Sequence, residues 1–249
     1  MINKISFFSF LNEKEFFEIK NKILNSNKNF VESKDNFEYL ICIGGDGTML
    51  NAMKLYYKQQ IKIIGINFGH LGFLTNEIKD WNIDLNLNFE TYNLLNLKMD
   101  NNDIFAINEL LLYSENNPIT IECSINDVYF YDYFGSGCFV STKLGSTGLN
   151  RSMNNPILLN NNTYLFNEYN PVKSLNNKYL NQAIILDKNQ TITLNLKNEF
   201  KQFLFVKNDG ITNKINSKTF KIKLINSNAK IASLSLNNQL EKISKKLIG

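Results

Sequence analysis

A chain of 249 residues is long enough for one large domain or two modest ones, each with a core of its own. Hydrophobic residues make up 43% and charged residues 20%, which excludes a disordered or fibrous chain, and no apolar run approaches the roughly 20 residues of a bilayer-spanning helix. The net charge of +4 suits an anionic small molecule, but there is no Lys/Arg stripe with interleaved aromatics, so neither nucleic acid nor a membrane is expected as a partner.

The opening run MINKISFFSFL is too short in its apolar part for a leader and reads as a first strand, Lys4–Phe10. Asn12 is placed to cap a helix through Leu24 that buries Phe16, Phe17, Ile19, Ile23 and Leu24. Tyr39–Ile43 is a continuous apolar strand, as in a sheet covered on both faces. Thr48–Tyr57 reads as a helix and Lys62–Asn67 as a strand. This βαβαβ order predicts an α/β, Rossmann-like, doubly wound parallel sheet over residues 1–96, with ligand beyond the carboxyl ends of its strands. From 97 to 236 the pattern changes to period-two and apolar runs (IFAINELLLY, ITIECSI, VYFYDYF, CFVST, TITLNL, FKIKLI), mostly separated by Asn, Asp and Gly clusters, and predicts an all-β sandwich. A closing helix, about Asn237–Leu247, is expected to rejoin the first domain together with the rest of 237–249. Cys42, Cys123 and Cys138 each sit in an apolar, strand-like context and read as reduced core thiols of a cytoplasmic protein.

Four segments carry chemistry. Gly44-Gly45-Asp46-Gly47-Thr48 follows a strand and opens a helix, where free N–H groups and the helix dipole suit phosphate. It has neither the Walker A lysine nor GxGxxG spacing. A carboxylate there has three readings: a helix cap, a magnesium ligand, or a base for a hydroxyl that attacks a phosphoryl group. Gly65–Thr75 (GINFGHLGFLT) is a second glycine loop at a strand end. Its His70, the sole histidine, reads as structural, and Phe73 as either a pocket wall or core. Asn108-Glu109 interrupts an apolar run; neighbouring strand residues face opposite ways, so both reach one pocket only where the strand ends or bulges, and otherwise they are an exposed pair on an edge strand. Gly135–Ser152 (GSGCFVSTKLGSTGLNRS) packs Gly, Ser and Thr around one strand and is either a polar turn or a ligand contact, with Thr142, Ser146, Thr147 and Ser152 as hydroxyl donors to a ribose, a base or a phosphate and Arg151, the only arginine, suited to phosphate.

In this order the four segments resemble the NAD kinase family, through GGDGTML, GINFGHLGFLT, NELLL and STKLGSTGLNRS; Ser174–Asn177 (SLNN) resembles a further segment of some bacterial members. The resemblance implies phosphoryl transfer from ATP or polyphosphate to the 2′-hydroxyl of the adenosine ribose of NAD. It implies Asp46 as the base, with a metal-ligand role for Asp46 as the lesser option and no other metal ligand assigned. Asn108 and Glu109 would grip the adenosine, and Gly47, Phe73, Ser136, Thr147, Gly148 and Ser152 would line the NAD site. Gly45 and Gly47 would shape the phosphate side, where the residues themselves also place Gly44, Thr48 and Arg151, with a subunit contact as the other reading of Arg151. A divalent cation, Mg²⁺ with ATP, and a homodimer or homotetramer are implied as well. The chain departs from the family pattern at Gly135-Ser136-Gly137, which lacks the usual aspartate, at Thr147-Gly148-Leu149, which lacks a tyrosine, at Asn154-Asn155-Pro156 in place of Gly-Gly-Pro, and at Asp209-Gly210-Ile211 in place of Asp-Gly-Gln. Two other readings share parts of the pattern: a non-catalytic dinucleotide-binding protein, and a lipid or sugar kinase with a similar GGDG turn.

Overall fold

The computed structural model describes residues 2–68, 72–76, 80–100, 102–174, 178–197, 204–232 and 236–247. Gly69, His70 and most of the SLNN segment lie outside the described residues. The chain divides into two compact units, Met1–Tyr92 with Ser227–Gly249, and Asn93–Asn226. It is an α/β fold with few helices.

In the first unit, β1 (Asn3–Ser9), β2 (Phe30–Glu32), β3 (Tyr39–Gly44) and β4 (Lys62–Asn67) pair in parallel in the order β2-β1-β3-β4. Parallel neighbours need crossovers. Helix α1 (Glu13–Ser26) links β1 to β2, and α2 (Asp46–Tyr56) links β3 to β4. Asn12 starts α1 with a reciprocal cap: its Oδ1 accepts the Glu15 N–H at 3.0 Å and its Nδ2 donates to the Glu15 carboxylate at 2.6 Å. Ile19 and Ile23 of α1 share a buried cluster with Ile41, Ile43, Ile64 and Ile66 of the sheet. Phe17, expected in that face, is 51% exposed. It lies one residue, about 100° of helix, round from Phe16, and caps the Lys20 ammonium with its ring instead of entering the core. The other sheet face takes α2: Gly65 lies opposite Cys42, and a Cβ on Gly65 would stand 2.7 Å from Met49 Sδ. Every residue of β3 is buried, which is why its apolar run is unbroken.

The second unit is built on antiparallel pairs. Its strands are β5 (Phe89–Lys98), which enters from the first unit, β6 (Asp103–Ala106), β7 (Glu109–Ser114), β8 (Ile119–Ile125), β9 (Val128–Thr142), β10 (Thr163–Pro171), β11 (Ile184–Asp187), β12 (Ile192–Leu196), β13 (Leu204–Asn208), β14 (Ile211–Ile215) and β15 (Thr219–Ala232). Strand β9 organises it: the first half pairs with β8, and the second lies between β7 and β10. Inward residues of these strands, among them Leu110, Ile121, Tyr133, Val140, Phe166 and Phe220, form one core cluster. Two features differ from the sequence reading. Gly135-Ser136-Gly137 is no turn but the middle of β9. Its glycine admits close strand approach: a Cβ on Gly137 would collide with the Leu112 carbonyl, and the Gly137 N–H donates to the Tyr133 hydroxyl at 2.8 Å. The unit is also not purely β, because a 3₁₀ turn (Leu144–Thr147) and α3 (Leu149–Ser152) follow β9. At its far end β15 enters the first unit, where Lys230 and Ile231 pair in parallel with Lys62 and Ile63. Helix α4 (Leu236–Leu247) then closes the first unit.

One carboxyl is buried in the second core. Glu168 is 3% exposed; one oxygen accepts the Leu180 N–H at 2.9 Å and the other has no hydrogen-bond partner among the described residues. Burial pushes its pKa up, against smaller opposing effects of the Leu180 N–H, Tyr131 and Lys173. A raised carboxyl favours folding when protonated, so its contribution is complete below the unfolded value and is lost as pH rises through the folded one. Glu168→Gln therefore raises the melting temperature at pH 7.5 by about 2–4 °C, and the gain vanishes near pH 4. Melting curves at the two pH values check both the sign and the convergence.

Candidate active site

The first unit's candidate cluster is the turn between β3 and α2. Gly44 has φ +154°, and a Cβ there would collide with the Thr48 hydroxyl, so this position needs glycine. Gly45 is the helix N-cap and Asp46 is the first residue of α2. The cap reading of Asp46 is therefore corrected: Gly45 has no side chain to cap with, and the carboxylate is held from elsewhere. Its Oδ2 accepts the Phe73 N–H and its Oδ1 the Leu74 N–H, both at 2.9 Å. These N–H groups belong to the second glycine loop, which is tied to β4 by Asn76 N–H to Gly65 O and Asn67 N–H to Asn76 O, each 2.9 Å. A Cβ on Gly72 would stand 2.6 Å from Asp46 Oδ1. By contrast, a Cβ on Gly45 or Gly47 would meet nothing within 4 Å. Both positions face open space, and the Asp46 carboxylate beside them is part-exposed.

The second unit has a cluster of its own, around Asn108 and Glu109. The apolar run breaks here: β6 ends at Ala106, β7 starts at Glu109, and Asn108 lies in the bend between them. The break lifts the rule that neighbours face opposite ways, and it replaces the edge-strand reading, since β7 is paired on both sides by β9 and β13. Three backbone N–H groups of the bend donate to one carboxylate, that of Asp209: Ile107 at 2.9 Å, Asn108 at 2.8 Å and Glu109 at 3.3 Å. Asp209 and Gly210 both have positive φ, +47° and +86°, and form the two-residue turn of the β13–β14 hairpin. On the other side Thr142 Oγ1 donates to the Ile107 carbonyl at 2.6 Å and accepts the Leu144 and Gly145 N–H groups at 3.1 and 3.2 Å. The Thr142 N–H donates to the Asn108 carbonyl at 2.9 Å, and Gly145 packs against that peptide so closely that a Cβ would collide with it.

Residues 7–87 match the family model for the ATP-NAD kinase N-terminal domain. The NAD kinase of Ureaplasma parvum serovar 3 is 34% identical over 232 residues, which cover 88% of this chain and 84% of that protein. The chain belongs to the NAD kinase family. The NAD kinase of Flavobacterium johnsoniae is 30% identical, covering all of this chain and 87% of its own. The fold is also that of a yeast NADH kinase complexed with NADH, at TM-score 0.75 and 15% identity over 100% of this chain and 88% of that one. An NAD kinase from Archaeoglobus fulgidus in complex with ATP gives TM-score 0.73 and 18% identity over 96% and 98%.

The residues that the NAD kinase motifs single out do not all come together. Asp46, Gly47 and Phe73 belong to the cluster of the first unit, and Asn108, Glu109 and Thr142 to that of the second. Thr147 is half-buried, while Gly148, Arg151 and Ser152 are exposed on or beside α3, where Ser152 Oγ donates to the Leu149 carbonyl at 2.7 Å. Ser146 is fully buried and occupied, donating to Lys143 O at 2.7 Å and accepting the Leu158 N–H at 3.0 Å, so it braces the loop. Ser136 stands six residues up β9 from Thr142, about 20 Å at the usual strand rise. Asp209 was missed as a site residue, although Asn208-Asp209-Gly210 is a hairpin-turn signal. Buried Asn150 was missed as well; its Nδ2 donates to Ser146 O and Pro156 O at 3.1 and 2.8 Å.

Proposed function

We propose that this member of the NAD kinase family transfers the γ-phosphoryl group of ATP, or a phosphoryl group of polyphosphate, to the 2′-hydroxyl of the adenosine ribose of NAD, giving NADP. The observation that carries this reading is the Asp46 carboxylate, part-exposed at a helix N-terminus whose glycines face open space, and aligned by two backbone N–H groups. A carboxylate oxygen accepts more than one hydrogen bond, so the loop N–H groups do not by themselves bar one from the ribose hydroxyl. Asp46 takes that proton as the oxygen attacks phosphorus and the bond to the leaving phosphate breaks. Gly44, Gly45, Gly47 and Thr48 present the opening turn of α2 to the phosphates. Asn108 and Glu109 hold the adenosine, with Phe73, Thr147, Gly148, Ser152 and Ser136 as further NAD contacts and Arg151 as a phosphate contact.

Among the described residues no three His, Cys, Asp or Glu side chains come together as a resident metal would require. That donor set does not fit a metal held by the protein. The divalent cation, Mg²⁺ in this proposal, arrives on the phosphates of ATP, and no proton or bond step of the protein runs through it. In the same proposal, the first unit is the Rossmann-like module and the second a β-sandwich. The enzyme works in the cytoplasm as a homodimer or homotetramer. Its three cysteines are free and buried, burial pushing the Cys123 thiol up to about 12, and no helix among the described residues is long and apolar enough to cross a membrane.

The deciding experiment incubates purified protein with NAD, Mg²⁺ and either ATP or polyphosphate, and measures NADP with an NADP-specific dehydrogenase. NADP formation well above an Asp46→Ala control supports the reading; none with either donor overturns it. A second test uses the open space. Because a Cβ on Gly47 touches no protein atom, Gly47→Ala leaves the melting temperature unchanged or slightly higher, as glycine is the poorer helix former. The same methyl group enters the space given to ligand, and KM for NAD or ATP rises by about tenfold, the scale of a lost contact of ~1.4 kcal/mol. Unchanged kinetics would remove Gly47 from the site.

A further inference from the structure

Helix α4 reaches the loop that holds Asp46. The Lys242 ammonium donates to the Gly72 carbonyl at 3.0 Å and to the Thr75 carbonyl at 2.6 Å. All of these residues belong to the first unit. The Gly72 carbonyl and the Phe73 N–H are two ends of one peptide group, and the Phe73 N–H is a donor to Asp46. One trans peptide therefore carries an ammonium on its oxygen and a carboxylate on its N–H. A cation on a carbonyl polarises the amide and strengthens the hydrogen bond at its other end. The second contact, to Thr75, fixes the opposite end of the same four-residue turn, so that the Leu74 N–H between them is also held toward Asp46. Thr75 is 2% exposed, which removes competing water from this side of the turn.

We propose that Lys242 is a positioning residue for phosphoryl transfer: through the Gly72–Phe73 peptide it aims and holds the Asp46 carboxylate. It does not touch substrate, and in this it differs from Arg151, whose proposed role is a direct phosphate contact. The inference rests on the reading of Asp46 as the group that faces the ribose hydroxyl. Because the lysine acts on the base and not on substrate binding, its loss lowers kcat and leaves KM for NAD in place. An arginine reaches the same two carbonyls and keeps the charge; a methionine of similar length keeps the packing and loses it.

The test compares Lys242→Met, Lys242→Arg and Asp46→Asn with the unaltered full chain, reading kcat, KM for NAD and melting temperature. The expected result for Lys242→Met is a kcat lower by about 10- to 100-fold, the scale of a slightly misplaced catalytic group. Its KM stays within twofold and its melting temperature within a few degrees, and Lys242→Arg recovers most of the loss. An unchanged kcat in Lys242→Met, a KM that rises as kcat falls, or equal losses in the Met and Arg variants would each overturn the proposal. If Asp46→Asn is inactive while Lys242→Met is unaffected, the positioning role alone falls. If Asp46→Asn keeps full turnover, the reading of Asp46 falls and takes this inference with it.

Discussion

Asp46→Asn abolishes most NADP formation while the protein stays folded, with kcat expected to fall by about 10²–10⁴-fold, the usual contribution of a positioned base. The substitution is nearly isosteric. The amide oxygen still accepts one of the two loop N–H groups, now 2.9 Å from each carboxylate oxygen, but the amide nitrogen turns a donor toward the other. One hydrogen bond is lost at a part-exposed position, which costs about 1 kcal/mol and does not unfold a domain. The chemical consequence is larger, because an amide does not take the proton of a ribose hydroxyl. A dehydrogenase-coupled assay for NADP, run beside a melting curve, separates the two effects. Wild-type turnover in a folded variant would remove Asp46 from the mechanism.

Asp209→Asn acts on the cluster of the second unit, where the proposed function places the adenosine. The Asp209 carboxylate accepts three backbone N–H groups, at 2.9, 2.8 and 3.3 Å, and thereby fixes the bend that carries Asn108 and Glu109. Asparagine tolerates the positive φ of +47°, so the hairpin turn survives. Its amide oxygen can keep the Asn108 and Glu109 N–H groups, but its nitrogen then faces the Ile107 N–H, donor against donor. The bend loosens, and KM for NAD rises by at least about tenfold while kcat at saturation changes less, because the lost interaction orients binding groups and not the base. The melting temperature drops by about 2–6 °C for a loss of 1–2 kcal/mol. A steady-state titration of NAD with the variant checks this; an unchanged KM would mean that the bend does not bind the dinucleotide.

Much of this was legible in the chain itself. The unbroken apolar run of Tyr39–Ile43 announced a strand buried on both faces, and it is fully buried. Asn12 ahead of the apolar stripe announced a capped helix; the structure shows the cap and adds that Glu15 is its reciprocal partner. The GGDG turn and the Asn-Glu pair were visible as departures from an otherwise apolar pattern. Other readings failed for local reasons. Gly135-Ser136-Gly137 looked like a turn because glycine is ambiguous between a turn and a close strand contact, and only the neighbouring strand β7 resolves it. Phe17 looked buried because an aromatic beside the apolar stripe is indistinguishable in one dimension from one inside it.

What the sequence by itself determined is therefore what depends on near neighbours: the alternation of strands and helices, the glycines at Gly44 and Gly72, and the motifs that mark the family; the break at Asn108 was one of two open readings until β7 was seen paired on both sides. Tertiary structure decided which group satisfies which. The carboxylate of Asp46 is held by N–H groups 27 and 28 residues away, the bend at Asn108 by a carboxylate 101 residues away, and the Gly72 carbonyl by a lysine 170 residues away. Buried and half-buried backbone groups must find partners, but periodicity and local propensity carry no information on a partner a hundred residues distant. Only the pairing of the strands brings Asp209 to the bend, and only the return of α4 brings Lys242 to the loop that holds Asp46.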